Sequence, residues 1–277
     1  MNIDLPNTVQ KISSCGSDSL IACRTLLTAR NLLNSKYHPK RIDCEAALVC
    51  TLNALKDLSQ MHEISDQIST ADNRAISRFE DRRCKDGSIV LPAIEHLQVH
   101  ANTFFQKADH SLGYLLDIIK LFYGRGAISK AFESLRDLVI KEYGSTDPFS
   151  EFLCSVLPCV QLIRNTRNCV EHPRHVQKVE TRDFTINPDG TITSPTIEII
   201  HPRTPLPKQP ISGVMAEITE NVSLIFEVMC AHICSKNLLP FGPFPLTVIA
   251  LPEESRREPH VRSSIGTYMG GRPVPVS

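Results

Sequence analysis

Arg167, Asn168 and His172 bring a fixed cation, an amide and a titratable base into one short stretch. Taking Arg167 as the zero of an ideal helical wheel, Phe149, Leu153, Val156, Val160, Ile163 and Val170 fall within about 60° of it. Arg167 therefore stands on an apolar stripe. A buried, unpaired guanidinium is costly there, so it must meet an anion, a carboxylate or a wet cleft. Arg164, Asn168 and His172 follow at i, i+4 and i+8 and form a polar ridge beside the stripe. His172 closes the helix, where the carbonyl end of the dipole favours an imidazolium. Cleavage of a phosphodiester by a neighbouring 2′-hydroxyl needs such parts. A base takes the hydroxyl proton, an acid protonates the leaving oxygen, and a cation stabilises the crowded phosphate. That chemistry calls for no metal. A structural role is the alternative: Arg167 bridging to a core carboxylate and His172 capping the last turn.

The elements that must position this stretch are mostly helical. Apolar spacing predicts helices over 19–34 and 43–58, with a polar helix continuing over 61–83. Lys85 to Ser88 reads as a turn. The strongest pattern runs from Pro92 to Tyr123 and stops at Gly124 and Gly126. Ile128 to Tyr143 follows. Asp147 then caps a helix that Pro148 opens and that runs to His172, where Pro173 ends it. The period changes between 179 and 200, where a hairpin is expected with its turn at Pro188, Asp189 and Gly190, and Thr196 to Ile200 adds a third strand. A proline-rich connector spans 201–210, and a last helix spans Ser212 to Leu238.

These readings predict a mainly α chain: a helical bundle with a small β-hairpin inserted before the last long helix. Residues 1–84 form an N-terminal helical region packed on the bundle, and 85–239 form the helical domain with the hairpin at about 179–200. Residues 240–277, rich in Pro, Gly and charge, are expected to be a poorly ordered tail. No internal repeat is visible.

With 277 residues the chain is long enough to bury a real core, and with no Trp that core is aliphatic. A formal net charge of +0 argues against a protein that coats nucleic acid through a broad basic surface, though it leaves room for a local basic groove. The N-terminus lacks a basic segment followed by an apolar run, and the most apolar stretch, 113–123, is broken by Asp117 and Lys120. A cytoplasmic protein with no membrane partner is expected. The 10 cysteines contain no CxxC pair and read as reduced core residues. Glu95, His96 and His100 lack a further ligand at metal spacing, and Cys230, His232 and Cys234 converge poorly from one helix, so neither metal nor cofactor is expected. GxSxG and Walker motifs are lacking, which weakens a serine hydrolase or NTPase reading.

The run from Leu162 to Pro173, LIRNTRNCVEHP, resembles the signature of the HEPN superfamily (higher eukaryotes and prokaryotes nucleotide-binding domains). That signature is an arginine, often followed by Asn, Asp or His, and then a histidine after a short gap. Arg167, Asn168 and His172 match it. The resemblance implies an all-α bundle with the motif late in a core helix, and a metal-independent endoribonuclease acting on RNA in a toxin–antitoxin or phage-defence system. It implies 2′,3′-cyclic phosphate ends, with Arg167 and His172 catalytic and Asn168 and Arg164 supporting or binding RNA. It also implies a homodimer whose two motifs share one cleft, and an antitoxin or operon partner. Some members instead are non-catalytic modules that bind a nucleotide or a partner protein, and that alternative stands. Pro173, Arg174 and His175 follow the histidine where some paired systems carry a modified tyrosine.

Overall fold

The computed structural model describes residues 16, 18–79, 90–124, 126–128 and 131–276. The expected turn at 85–88 lies outside them. The chain opens with α1 (Leu20–Ala22), a π-helical stretch (Cys23–Leu27) and α2 (Thr28–Leu32). The long helices are α3 (Cys44–Ser77), α4 (Leu97–Tyr123), α5 (Phe132–Tyr143), α6 (Pro148–Glu171) and α7 (Ile211–Ser235). Between α6 and α7 come β1 (Lys178–Arg182), β2 (Thr185–Ile186), β3 (Ile192–Thr193), β4 (Thr196–Ile200) and β5 (Leu206–Pro210). After α7 come β6 (Thr247–Ala250), β7 (Ser263–Met269) and β8 (Arg272–Pro275).

This corrects the expected helical bundle with a single small hairpin insertion. The described residues are 57% helical and carry three small antiparallel sheets, so the fold is mixed α/β. The first sheet has the order β1-β4-β5, the second is β2-β3, and the third has the order β6-β7-β8. The physical reason lies partly in the connector between α6 and α7. Its hairpin β2–β3, turning at Gly190 with φ +83°, is nested inside a wider antiparallel pair, in which Lys178 faces Ile200 and Arg182 faces Thr196. Ile197 and Ile199 on β4 are buried, so the sheet is bound to the core. The remaining reason is the C-terminal segment. It was expected to be poorly ordered, yet β6 and β7 bury Ile249 and Ile265, and β6 and β7 pack against α7 and α2 respectively. Pro273 and Pro275 sit on β8 at the sheet edge, where a missing N–H breaks no ladder.

The helical core is a layer of α3, α4, α6 and α7 around Phe104, Phe105, Leu115, Phe149 and Phe226, all fully buried. The two helices expected over 43–83 are one within the described residues, because neither Gly nor Pro interrupts Cys44–Ser77. Asp43 caps it by accepting from the Ala46 N–H at 2.9 Å. α4 starts at Leu97 and not at the expected Pro92, because His96 is left-handed at φ 56° and the Ile94 N–H donates to Asp183 Oδ2 at 2.9 Å. Among the described residues no helix is long and apolar enough to cross a membrane. The eight described cysteines are free thiols.

Candidate functional site

α6 carries the candidate residues. Its start is fixed by Asp147, whose Oδ1 accepts from the Phe149 N–H at 3.0 Å, and by Pro148 in the first turn. Phe149, Leu153, Val160 and Ile163 are buried, so the stripe faces the core. The helix ends at Glu171, with His172 as its C-cap at φ −131°, ψ 62°, and the His172 N–H still donates to Asn168 O at 2.9 Å. Pro173 follows and blocks further turns. Asn168 and His172 are both exposed.

Arg167 meets carboxylates. Its Nη1 lies 2.7 Å from Glu171 Oε2 and its Nε lies 3.6 Å from Asp109 Oδ2 on α4, with its side chain 28% exposed. Nη1 also donates to Asn168 Oδ1 at 3.3 Å. Arg167 Nε is buried without a hydrogen-bond partner, since 3.6 Å is too long for one. The guanidinium is thus held by charge and keeps one donor unspent. Arg164 shares Asp109 with Arg167, both guanidiniums pulling on its carboxyl. It lines a cleft of about 250 Å³ between α4 and α6, together with Asp109, Gly113, Leu116, Lys120 and Val160.

Neither carboxylate was among the expected site residues. Glu171 was legible as the i+4 neighbour of Arg167. Asp109 carried a weaker signal: it falls on the apolar face of α4 with Phe105, Leu112 and Leu116, where a carboxylate is as misplaced as Arg167 is on α6. Burial pushes the Asp109 carboxyl above its ordinary range, against the lowering pull of Arg167, Arg164 and His110. An acid whose folded pKa is raised costs stability once it ionises, and that cost is absent below the unfolded pKa of about 4. Asp109→Asn is therefore expected to raise the melting temperature at pH 7 and to leave it unchanged near pH 3. Melting curves of both proteins at the two pH values test this, and a destabilised variant at pH 7 would show that the pull of Arg167 outweighs burial.

Asn165, one turn before Asn168, is a further residue of that α6 face outside the expected site. Its Nδ2 donates to Thr204 Oγ1 at 3.2 Å, tying the turn between β4 and β5 to α6. No family model, curated protein or solved structure matches the chain. Cys230 and Cys234 are buried, whereas the His232 ring stacks on Phe149 with centroids 5.0 Å apart. Burial pushes the His232 pKa down. Among the described residues no group of three or more His, Cys, Asp or Glu side chains could hold a metal ion.

Proposed function

We propose that this chain is an endoribonuclease with a HEPN-like motif, working without a metal and leaving a 2′,3′-cyclic phosphate and a 5′-hydroxyl. The observation that carries the reading is the exposed end of α6, where His172 and Asn168 face solvent within two turns of Arg167. His172 takes the proton of the 2′-hydroxyl, the 2′-oxygen bonds to phosphorus, and the P–O5′ bond breaks. The departing 5′-oxygen receives a proton from an imidazolium. Arg167 stabilises the negative charge that gathers on the phosphate. Asn168 orients the phosphate, and Arg164 binds the strand.

Glu171 holds Arg167 in the free protein and must release it when phosphate arrives. Both side chains of this pair are 28% exposed, and such a pair contributes little, so the exchange is cheap. One histidine per motif supplies only one of the two proton-transfer groups. The second comes from a two-fold dimer in which a pair of α6 ends faces one cleft. The setting that fits is a cytoplasmic toxin–antitoxin or phage-defence system with an antitoxin or operon partner.

A second reading has its own support. The Asp109 and Glu171 contacts already balance Arg167, as expected of a non-catalytic module that binds a nucleotide or a partner protein. Sedimentation over a wide concentration range separates the two before any assay of cleavage. The endoribonuclease is expected to sediment as a dimer at micromolar concentration. A monomer at high micromolar concentration would contradict the composite site. Cleavage of cellular RNA, with and without EDTA, tests the chemistry.

A further inference from the structure

The tripeptide His-Pro-Arg occurs twice, at 172–174 and at 201–203. The sheet brings the two copies to one end. Lys178 faces Ile200 in the β1–β4 pair, so the chain enters β1 from the first copy and leaves β4 into the second. Residues 172–176 are exposed, as are Pro202 and Arg203. The second copy is fastened to α6 by a short chain of hydrogen bonds. Asn165 Nδ2 donates to Thr204 Oγ1 at 3.2 Å, and that hydroxyl lies 3.1 Å from His201 Nδ1. Asn165, Asn168 and His172 recur at i, i+3 and i+7, which is one face of a helix. The turn is thus anchored on the face that carries His172, about 10 Å further back along the axis at 1.5 Å per residue.

The role of the His201 ring follows from its partners. Its Nδ1 accepts from the backbone N–H groups of Arg203 and Thr204, each at 3.2 Å. A ring nitrogen that accepts carries no proton, so the neutral ring holds its proton at Nε2. Burial, reinforced by Arg203, pushes its pKa down. Such a ring does not shuttle protons at neutral pH. Its Nε2 proton can be donated, as a neutral imidazole does toward a charged oxygen. Exposed Arg203 stands beside it, and Arg174 is carried by the other copy. A groove of about 550 Å³ adjoins them, lined by Val176, Glu198, His201, Pro202, Pro205 and Leu206. A neutral donor beside an exposed guanidinium, with a groove wall that is apolar apart from Glu198, suits a phosphate oxygen with an unstacked base next to it.

We propose that the turn from His201 to Thr204 is a backbone-phosphate subsite for single-stranded RNA, with His201 Nε2 and the Arg203 guanidinium as its donors. It lies beside the Arg167 and His172 site and holds a phosphate that neighbours the scissile one. The inference rests on the RNA reading of the α6 end, but its test does not depend on cleavage.

The probe is a fluorescent 2′-O-methyl oligoribonucleotide eight nucleotides long, which lacks the attacking hydroxyl and stays intact. Binding is read by anisotropy, with a 2′-O-methyl dinucleotide, carrying one bridging phosphate, as competitor. His201→Asn keeps an acceptor for the two backbone N–H groups and removes the Nε2 donor. Arg203→Ala removes the cation. Each is expected to weaken the octamer about tenfold, whatever its sequence, and to leave dinucleotide competition unchanged. Arg203→Ala should also lower the salt slope by about one ion. Unchanged octamer affinity in both variants, with wild type binding, overturns the subsite and leaves the nuclease reading intact. Weakened binding in a protein that cuts no RNA supports the subsite and counts against catalysis. A wild type that binds no RNA overturns both.

Discussion

Glu227→Ala is expected to cost about 3–5 kcal/mol of stability, because it strips a buried guanidinium of its buried carboxylate partner. Glu227 sits in the middle of α7 and is 4% exposed. Its Oε2 lies 2.8 Å from Arg24 Nε, and Arg24, itself 3% exposed, belongs to the π-helical stretch near the start of the chain. On its other side Glu227 Oε1 accepts from Arg262 Nε at 2.9 Å, and Arg262 Nη2 pairs with Oε2. One carboxylate therefore joins the first helical segment, α7 and the strand region of β7. Arg24 Nη1 keeps Glu220 at 2.7 Å after the change, but that carboxylate is largely exposed and Arg24 Nη2 is already buried without a partner. The retained Glu220 pair should hold the loss toward the lower end of the range. Chemical denaturation of Glu227→Ala and Arg24→Met measures it. The double variant Arg24→Met/Glu227→Leu should recover much of the loss, since no unpaired charge then stays buried. A single variant within about 0.5 kcal/mol of wild type would show that the network contributes little.

α6 was legible in the sequence because its punctuation is local. Asp147 and Pro148 open it, Pro173 closes it, and its apolar residues keep one period between them. The candidate residues Arg164, Arg167, Asn168 and His172 were legible for the same reason, since helical spacing alone sets their faces. What spacing within one element leaves out is the partner from another. Asp109 on α4 and Thr204 in the β4–β5 turn meet α6 only through tertiary packing. The C-terminal sheet escaped for a different reason. Its strands are short, Gly266 interrupts β7, and prolines alternate along β8, so composition speaks for loop while burial of Ile249 and Ile265 decides for sheet. Gly266 itself marks that decision: a Cβ there would come within 2.6 Å of Val274 O and 2.4 Å of Ile249 Cδ1, so the sheet closes on a residue that has none. The start of α4 was misplaced because the Asp183 contact that holds Ile94 outside the helix comes from the far side of α6 in sequence.

The largest expected effect on activity belongs to the motif. On the proposed chemistry, His172→Ala removes a proton-transfer group and Arg167→Ala removes the cation aimed at the developing charge. Each loss is expected to slow RNA cleavage by about 10²-fold or more. Arg167→Lys should fail as well, because an ammonium lacks the planar fork that spans two phosphate oxygens. The two variants differ in what they risk structurally. His172 is exposed and its backbone N–H, not its ring, bonds Asn168 O, so His172→Ala should melt with wild type. Arg167 offsets Asp109 and Glu171, so Arg167→Ala leaves two carboxylates side by side, and its melting temperature must be read beside its activity. A variant that unfolds would assign Arg167 to the core and leave His172 to decide the chemistry.

The decisive measurement is cleavage of total cellular RNA by wild type and His172→Ala in the presence of EDTA, with the new ends analysed. Wild type is expected to cleave and to leave 2′,3′-cyclic phosphate and 5′-hydroxyl ends, and a His172→Ala protein that melts normally is expected not to cleave. Cleavage at an undiminished rate in His172→Ala, or cleavage that EDTA abolishes, would contradict the proposed chemistry.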